Sequence, residues 1–129
     1  MKRFVLLVLI LITGLTVFSQ GIEFQKERYA EVLEMAKKQN KLVFIDIYTS
    51  WCGPCSAELI NVRKAYDLLK DKGLKVVAIS TDEKEKDWLK AVNAKKMNDF
   101  VNLRDSKRVL WNLFNRNSIP FILLIDPEG

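Results

Sequence analysis

Residues 41–55 read KLVFIDIYTSWCGPC, and this stretch decides the fold. Lys41 to Tyr48 is a short apolar run, rich in β-branched and aromatic residues, which predicts a buried strand. One charge, Asp46, interrupts it. Thr49-Ser50-Trp51 leads into Cys52-Gly53-Pro54-Cys55, and from Cys52 the spacing turns helical, with Leu59, Val62, Tyr66 and Leu69 on one face. Pro54 suits the first turn of that helix, where a backbone N–H has no partner in any case. Lys72-Gly73 ends it, with Gly in the usual stop position. The two cysteines are therefore expected at the carboxyl end of a core strand, where a helix begins.

Working outward, residues 22–40 carry Tyr29, Val32, Leu33 and Ala36 at helical spacing, which predicts a surface helix ahead of the strand. Downstream, Leu74 to Ser80 (LKVVAIS) is a second buried strand. Asp82, with Glu85 three residues on, has the pattern of a helix cap, and a helix is expected from there to about Met97 with Trp88, Leu89 and Val92 inward. Phe100 to Leu103 is a short strand, Ser106 to about Asn115 a helix packing Val109, Leu110, Leu113 and Phe114, and Ile119 to Ile125 a strand opening on Pro120. Strands and helices alternate, which defines an α/β domain with a mostly parallel sheet and helices on both faces. Asp126-Pro127-Glu128-Gly129 is a turn that calls for a following strand. The expected domain, 20–129, thus lacks its last strand and helix.

The chain has 129 residues and a formal charge of +5. Its start is set apart: Lys2 and Arg3, then a nearly unbroken apolar run from Phe4 to Phe18, then Ser19-Gln20-Gly21. This is the layout of a secretory signal peptide over residues 1–19, with Val17 and Ser19 at the small-residue cleavage positions. The run is short for a membrane span, which wants about 20 residues, although an uncleaved N-terminal anchor is the alternative. Either way the domain is expected outside the cytosol, in the periplasm or an equivalent compartment. Removing Lys2 and Arg3, and no acid with them, lowers the charge from +5 to +3. No basic stripe is interleaved with aromatics, so no nucleic-acid partner is expected.

There are two cysteines and no histidine. Histidine-dependent hydrolases and histidine-ligated metals are excluded, and Ser56 stands where haem attachment needs His. No metal and no bound cofactor are expected. A structural disulfide three residues long closes a very small loop and stabilises little, so the pair reads as redox-active, with a disulfide as its resting state outside the cytosol. A helix N-terminus stabilises a thiolate. Cys52, at the mouth of the helix, is expected to be the more exposed thiol and the nucleophile, and Cys55 the resolving thiol. Gly53 and Pro54 offer no side-chain donor to a thiolate, which points to a reducing couple. Asp46, among apolar neighbours, reads as a buried acid able to exchange protons with Cys55; the alternative is a solvent-facing strand end.

Trp51-Cys52-Gly53-Pro54-Cys55 resembles the active-site motif of the thioredoxin-like family, Asp46 stands where that family has its buried acid, and Ile119-Pro120 resembles its cis-proline turn. The resemblance covers residues from about 22 to the end. Sixty-eight positions separate Cys52 from Pro120, room for an extra strand–helix unit over about 74–97. That insertion, and Glu58 three residues after Cys55, are similar to extracytoplasmic oxidoreductases of the TlpA/ResA type. The resemblance implies a thiol-disulfide oxidoreductase that reduces protein disulfides, with a membrane thiol carrier as electron source. It also implies that Trp51, Gly53, Pro54, Ile119 and Pro120 face the substrate, and that Glu58 serves as a proton relay, a solvated helix residue being the alternative. Ile60 stands where the family often has a helix-kinking Pro, and simple alignment puts Ile79 where thioredoxins place a Lys near the buried acid. The competing readings are a binding module that holds clients or copper(I) on two thiolates, and a peroxide-reducing relative.

Overall fold

A computed structural model describes residues 26–129. The expected signal segment 1–19 and the first residues of the expected helix over 22–40 lie outside the described residues. The described chain runs α1 (Lys26–Lys38), β1 (Val43–Tyr48), α2 (Gly53–Leu69), a 3-10 turn (Lys70–Lys72), β2 (Lys75–Ser80), α3 (Glu85–Ala94), β3 (Val101–Arg104), α4 (Val109–Leu113) and β4 (Phe121–Ile125). The sheet order is β3-β2-β1-β4. β1 pairs in parallel with β2 and β2 with β3, while β4 lies antiparallel against the other side of β1.

β1 is central, flanked on both sides and covered on both faces, which is why its sequence is apolar almost throughout. Side chains alternate along a strand. Val43, Ile45 and Ile47 join Val77, Ile79, Leu103 and Leu110 in one core cluster, packed by α1 and α4. On the other face Phe44 and Tyr48 join Cys52, Cys55, Val62, Val76, Ala78, Trp88 and Phe100 beneath α2 and α3. Ile45 and Ile79 have no exposed surface at all, and burying each such side chain contributes about 1.5–3 kcal/mol.

Several boundaries differ from the sequence expectation, and four of them have a local reason. The cap over Asp82–Glu85 does not form: the residue before α3 is Lys84 in an extended conformation, without a side-chain cap, because the Asp82 carboxylate is engaged elsewhere. The helix expected over 106–115 shrinks to five residues, since Asp105 accepts from the amides of Val109 and Leu110 at 2.7 and 2.8 Å and Arg108 just before it turns left-handed (φ 55°). β3 begins one residue late because Phe100 is committed to the core, edge-on to Tyr66 with ring centres 5.1 Å apart. β4 begins after Pro120, because Ile119-Pro120 is a cis turn. The stop at Gly73 holds: its φ of 99° is left-handed, and a Cβ there would meet Lys41 Cγ at 3.3 Å.

Candidate functional site

β1 ends at Tyr48, and Thr49 to Trp51 carry the chain over the sheet's carboxyl edge into α2. Cys52 is the N-cap of α2, with extended φ/ψ, and Pro54 falls in the first turn. Cys52 and Cys55 form a disulfide with Cα atoms 5.2 Å apart. The backbone N–H of Cys55 points at Cys52 Sγ, 3.1 Å away. That donor belongs to the helix N-terminus and would stabilise a thiolate on Cys52 once the bond opens. The expected difference in exposure is small, because both sulfurs are covered in the oxidised state: Cys52 is 5% exposed and Cys55 2%. The surface around them is open. Trp51 is 78% exposed, and Gly53 and Pro54 are exposed too. Ile119 packs against the core cluster that contains both cysteines, and the Ile119–Pro120 bond is cis.

Asp46 is 1% exposed. It shares the strand face of Phe44 and Tyr48, the face on which the cysteines pack. Its Oδ1 has no hydrogen-bond partner among the described residues. Burial pushes its carboxyl up to about 7, the charge of Glu58 adds to the rise, and the Lys95 ammonium opposes it. Glu58 is half-buried on α2 and acts on Asp46 through its charge.

The cation beside Asp46 comes from a place the sequence did not suggest. Ile79 belongs to the opposite core cluster, so it has no access to Asp46. Lys95 instead caps the C-terminal end of α3 and reaches across to α2, where its Nζ donates to Ser56 Oγ at 2.6 Å. Ser56 Oγ in turn donates to the carbonyl of Cys52 at 3.2 Å. Arg63 holds this junction in place. It pairs with Asp99 at 2.7 Å, donates to the Lys96 carbonyl, and lies 4.3 Å from the Phe100 ring centre. The Arg63 hydrogen bond holds the Asp99 carboxyl below its usual range.

Asp82 is a second residue whose place was misjudged. It is buried at the end of β2 and accepts from Ser50 N at 2.9 and 3.1 Å, from Ser50 Oγ at 2.8 Å and from Ser80 Oγ at 2.6 Å. Thr81 N also donates to the Tyr48 carbonyl at 2.9 Å. The loop that delivers Trp51 and Cys52 is thus tied to β2 by a buried carboxylate. Burial, and then the charges of Asp82 and Asp46, push the Tyr48 hydroxyl well up. Nothing in the sequence separated this Asp from a helix cap, because both uses place an acid just after a strand.

A central sheet of this order, with a cysteine pair capping a helix beside a cis-proline turn, defines a class of proteins built for thiol–disulfide exchange. The chain belongs to the thioredoxin-like family, whose model matches residues 40–129. Among individual proteins it resembles the thiol-disulfide oxidoreductase ResA of Bacillus cereus (27% identical over 100 residues, 75% of this chain and 56% of ResA) and that of Bacillus subtilis (25%, 75% and 54%). The chain therefore spans about half the length of the curated relatives it matches. In three dimensions it is similar to the thioredoxin domain of a thiol-disulfide oxidoreductase from Bacteroides vulgatus, with TM-score 0.66 and 33% identity over 75% of this chain and 69% of that one. A putative thiol:disulfide interchange protein DsbE from Chlorobium tepidum gives TM-score 0.66 and 29% identity over 74% and 67%.

Among the described residues no helix is long and apolar enough to cross a membrane, and no three His, Cys, Asp or Glu side chains gather as a metal site.

Proposed function

We propose that this chain is a thiol-disulfide oxidoreductase that reduces disulfides of client proteins outside the cytosol. The observation that carries this reading is the position of Cys52 at the helix N-cap, its sulfur facing the Cys55 N–H at 3.1 Å beneath an open surface. The export assignment is supported by Lys2-Arg3 and the apolar run from Phe4 to Phe18.

The cycle starts from the reduced pair. The Cys52 thiolate attacks one sulfur of a client disulfide, and the other client sulfur leaves as a thiolate. Trp51 and the Ile119-Pro120 turn hold the client strand, with the Ile119 backbone available for pairing. The Asp46 carboxylate takes the proton of Cys55. A buried acid whose carboxyl sits at about 7 is near half-ionised at neutral pH, which suits both accepting and returning that proton. The Cys55 thiolate then attacks Cys52 Sγ and releases the second client thiolate. Two electrons have passed to the client, and a dithiol partner must restore the Cys52–Cys55 pair. A membrane thiol carrier has the right chemistry. Glu58 and Lys95 bias the charge state of Asp46 from opposite sides.

The test is a trap. Cys55→Ser leaves the nucleophile and removes the resolving thiol, so disulfide-bearing client proteins should accumulate as mixed disulfides on Cys52, visible on non-reducing gels and lost with added Cys52→Ser. A Cys55→Ser chain that traps no client would count against the reading.

A further inference from the structure

Beside the disulfide, on the side of Trp51, lies a small cleft of about 180 Å³ that the exchange chemistry does not use. Its walls come from both substrate-facing segments. Thr49 and Trp51 belong to the loop before Cys52, Asn117 and Ile119 to the segment before the cis-proline, and Arg108 and Trp111 to the turn and helix between β3 and β4. The volume is below the range of about 300–1,000 Å³ for small-molecule pockets, so it fits one side chain and no longer segment.

The charge of the lining says which side chain. Arg108 is the only charged residue of the lining, and its guanidinium forms no ion pair among the described residues. The nearby acids are occupied, Asp105 by the amides of Val109 and Leu110 and Asp82 by Ser50 and Ser80. Arg108 is exposed, and an unpaired cation beside the indoles of Trp51 and Trp111 matches a carboxylate on a short apolar stem.

We infer that this cleft is a specificity subsite that takes the carboxylate side chain, Glu or Asp, of a residue flanking the client's disulfide cysteine. The inference rests on the oxidoreductase reading and adds to it a class of client. A client strand paired with the Ile119 backbone presents alternate side chains to the protein surface, and the one adjacent to its cysteine meets the space between Trp51 and Ile119.

The test uses the reduced full chain and three disulfide peptides that differ only in that flanking residue, Glu, Gln or Lys. Reduction of the Gln peptide reports the oxidoreductase activity, and the ratio of kcat/KM values reports the subsite. A charge-assisted contact predicts Glu over Gln by about tenfold, with Lys lowest, and a preference that shrinks in high salt. Arg108 has a left-handed backbone (φ 55°), so Arg108→Asn suits the local conformation; it should bring the Glu/Gln ratio below about twofold, and Arg108→Glu should favour the Lys peptide. Equal rates on Glu and Gln with the wild-type chain, or an undiminished preference in Arg108→Asn, would overturn the subsite and leave the activity standing. Failure to reduce any of the three would overturn both.

Discussion

Replacing Asp46 by asparagine keeps the side chain's shape and removes an ionisation that the fold opposes. In the unfolded chain this carboxyl loses its proton near 3.8, while burial holds it to about 7 in the folded one. Between those pH values the unfolded state has released a proton that the folded state retains, so folding stability falls as pH rises. The slope is about 1.36 kcal/mol per pH unit, and the interval of roughly three units sets a ceiling of about 4 kcal/mol. Solvent reorganisation around the charged form trims this to about 2–4 kcal/mol. Asp46→Asn has no such loss. Urea unfolding of the oxidised wild type and Asp46→Asn, from pH 4 to 8.5, isolates the term because every other titrating group cancels in the difference. The variant should gain about 2–4 kcal/mol on the wild type across this range, with the change centred between pH 4 and 7 and flat above. In melting temperature this is on the order of 10–20 °C at high pH. A difference that does not vary with pH would refute the claim that Asp46 is held protonated by burial.

Lys95→Met removes the cation that opposes the rise at Asp46; the pH at which the Asp46-dependent stability loss levels off should move upward, and an unmoved profile would show that Lys95 does not act there. Asp82→Ala strips three hydrogen bonds from Ser50 in the loop before Trp51 and leaves a buried Ser80 hydroxyl without its acceptor. It should cost about 2–4 kcal/mol in urea unfolding and slow reaction of reduced Cys52 with disulfides, whereas a cost under about 0.5 kcal/mol would mean the loop is held by other contacts. Gly73→Ala meets a left-handed φ and the Lys41 side chain, so about 1–2 kcal/mol should be lost, with thiol chemistry untouched. Ile47→Ala opens a cavity in the fully packed face of β1 and should cost about 2–5 kcal/mol.

What the sequence disclosed follows the range of the forces involved. β1, the Cys52–Cys55 pair at a helix start, and the Gly73 stop depend on residues within a few positions of one another, and all were legible. The cis Ile119-Pro120 turn was visible through the family resemblance, because an X–Pro dipeptide ahead of an apolar strand does not by itself fix the isomer. Asp46 was legible as buried because its neighbours at 43–48 are apolar. Its charged neighbour was not. Lys95 looks like any other lysine of a basic chain, and only the end of α3 against α2, pinned by Arg63 with Asp99, brings it to Ser56. Asp82 was legible as a partner for backbone N–H groups but assigned to the wrong ones: Ser50 lies 32 residues away and wins over the adjacent helix. The shortness of α4 was hidden because Asp105, which caps it, carries no helical periodicity.

The most direct test of the central claim is a redox titration of the Cys52–Cys55 pair against dithiothreitol or glutathione buffers, read from the shift of the reduced and oxidised forms on thiol labelling. Gly53 and Pro54 place no side-chain donor against the Cys52 thiolate, so the pair should cycle reversibly as a two-electron couple with a midpoint near about −270 mV, the range of thioredoxin reductants. A midpoint near about −120 mV would make the chain a donor of disulfides, and a pair that does not cycle at all would contradict the oxidoreductase reading itself.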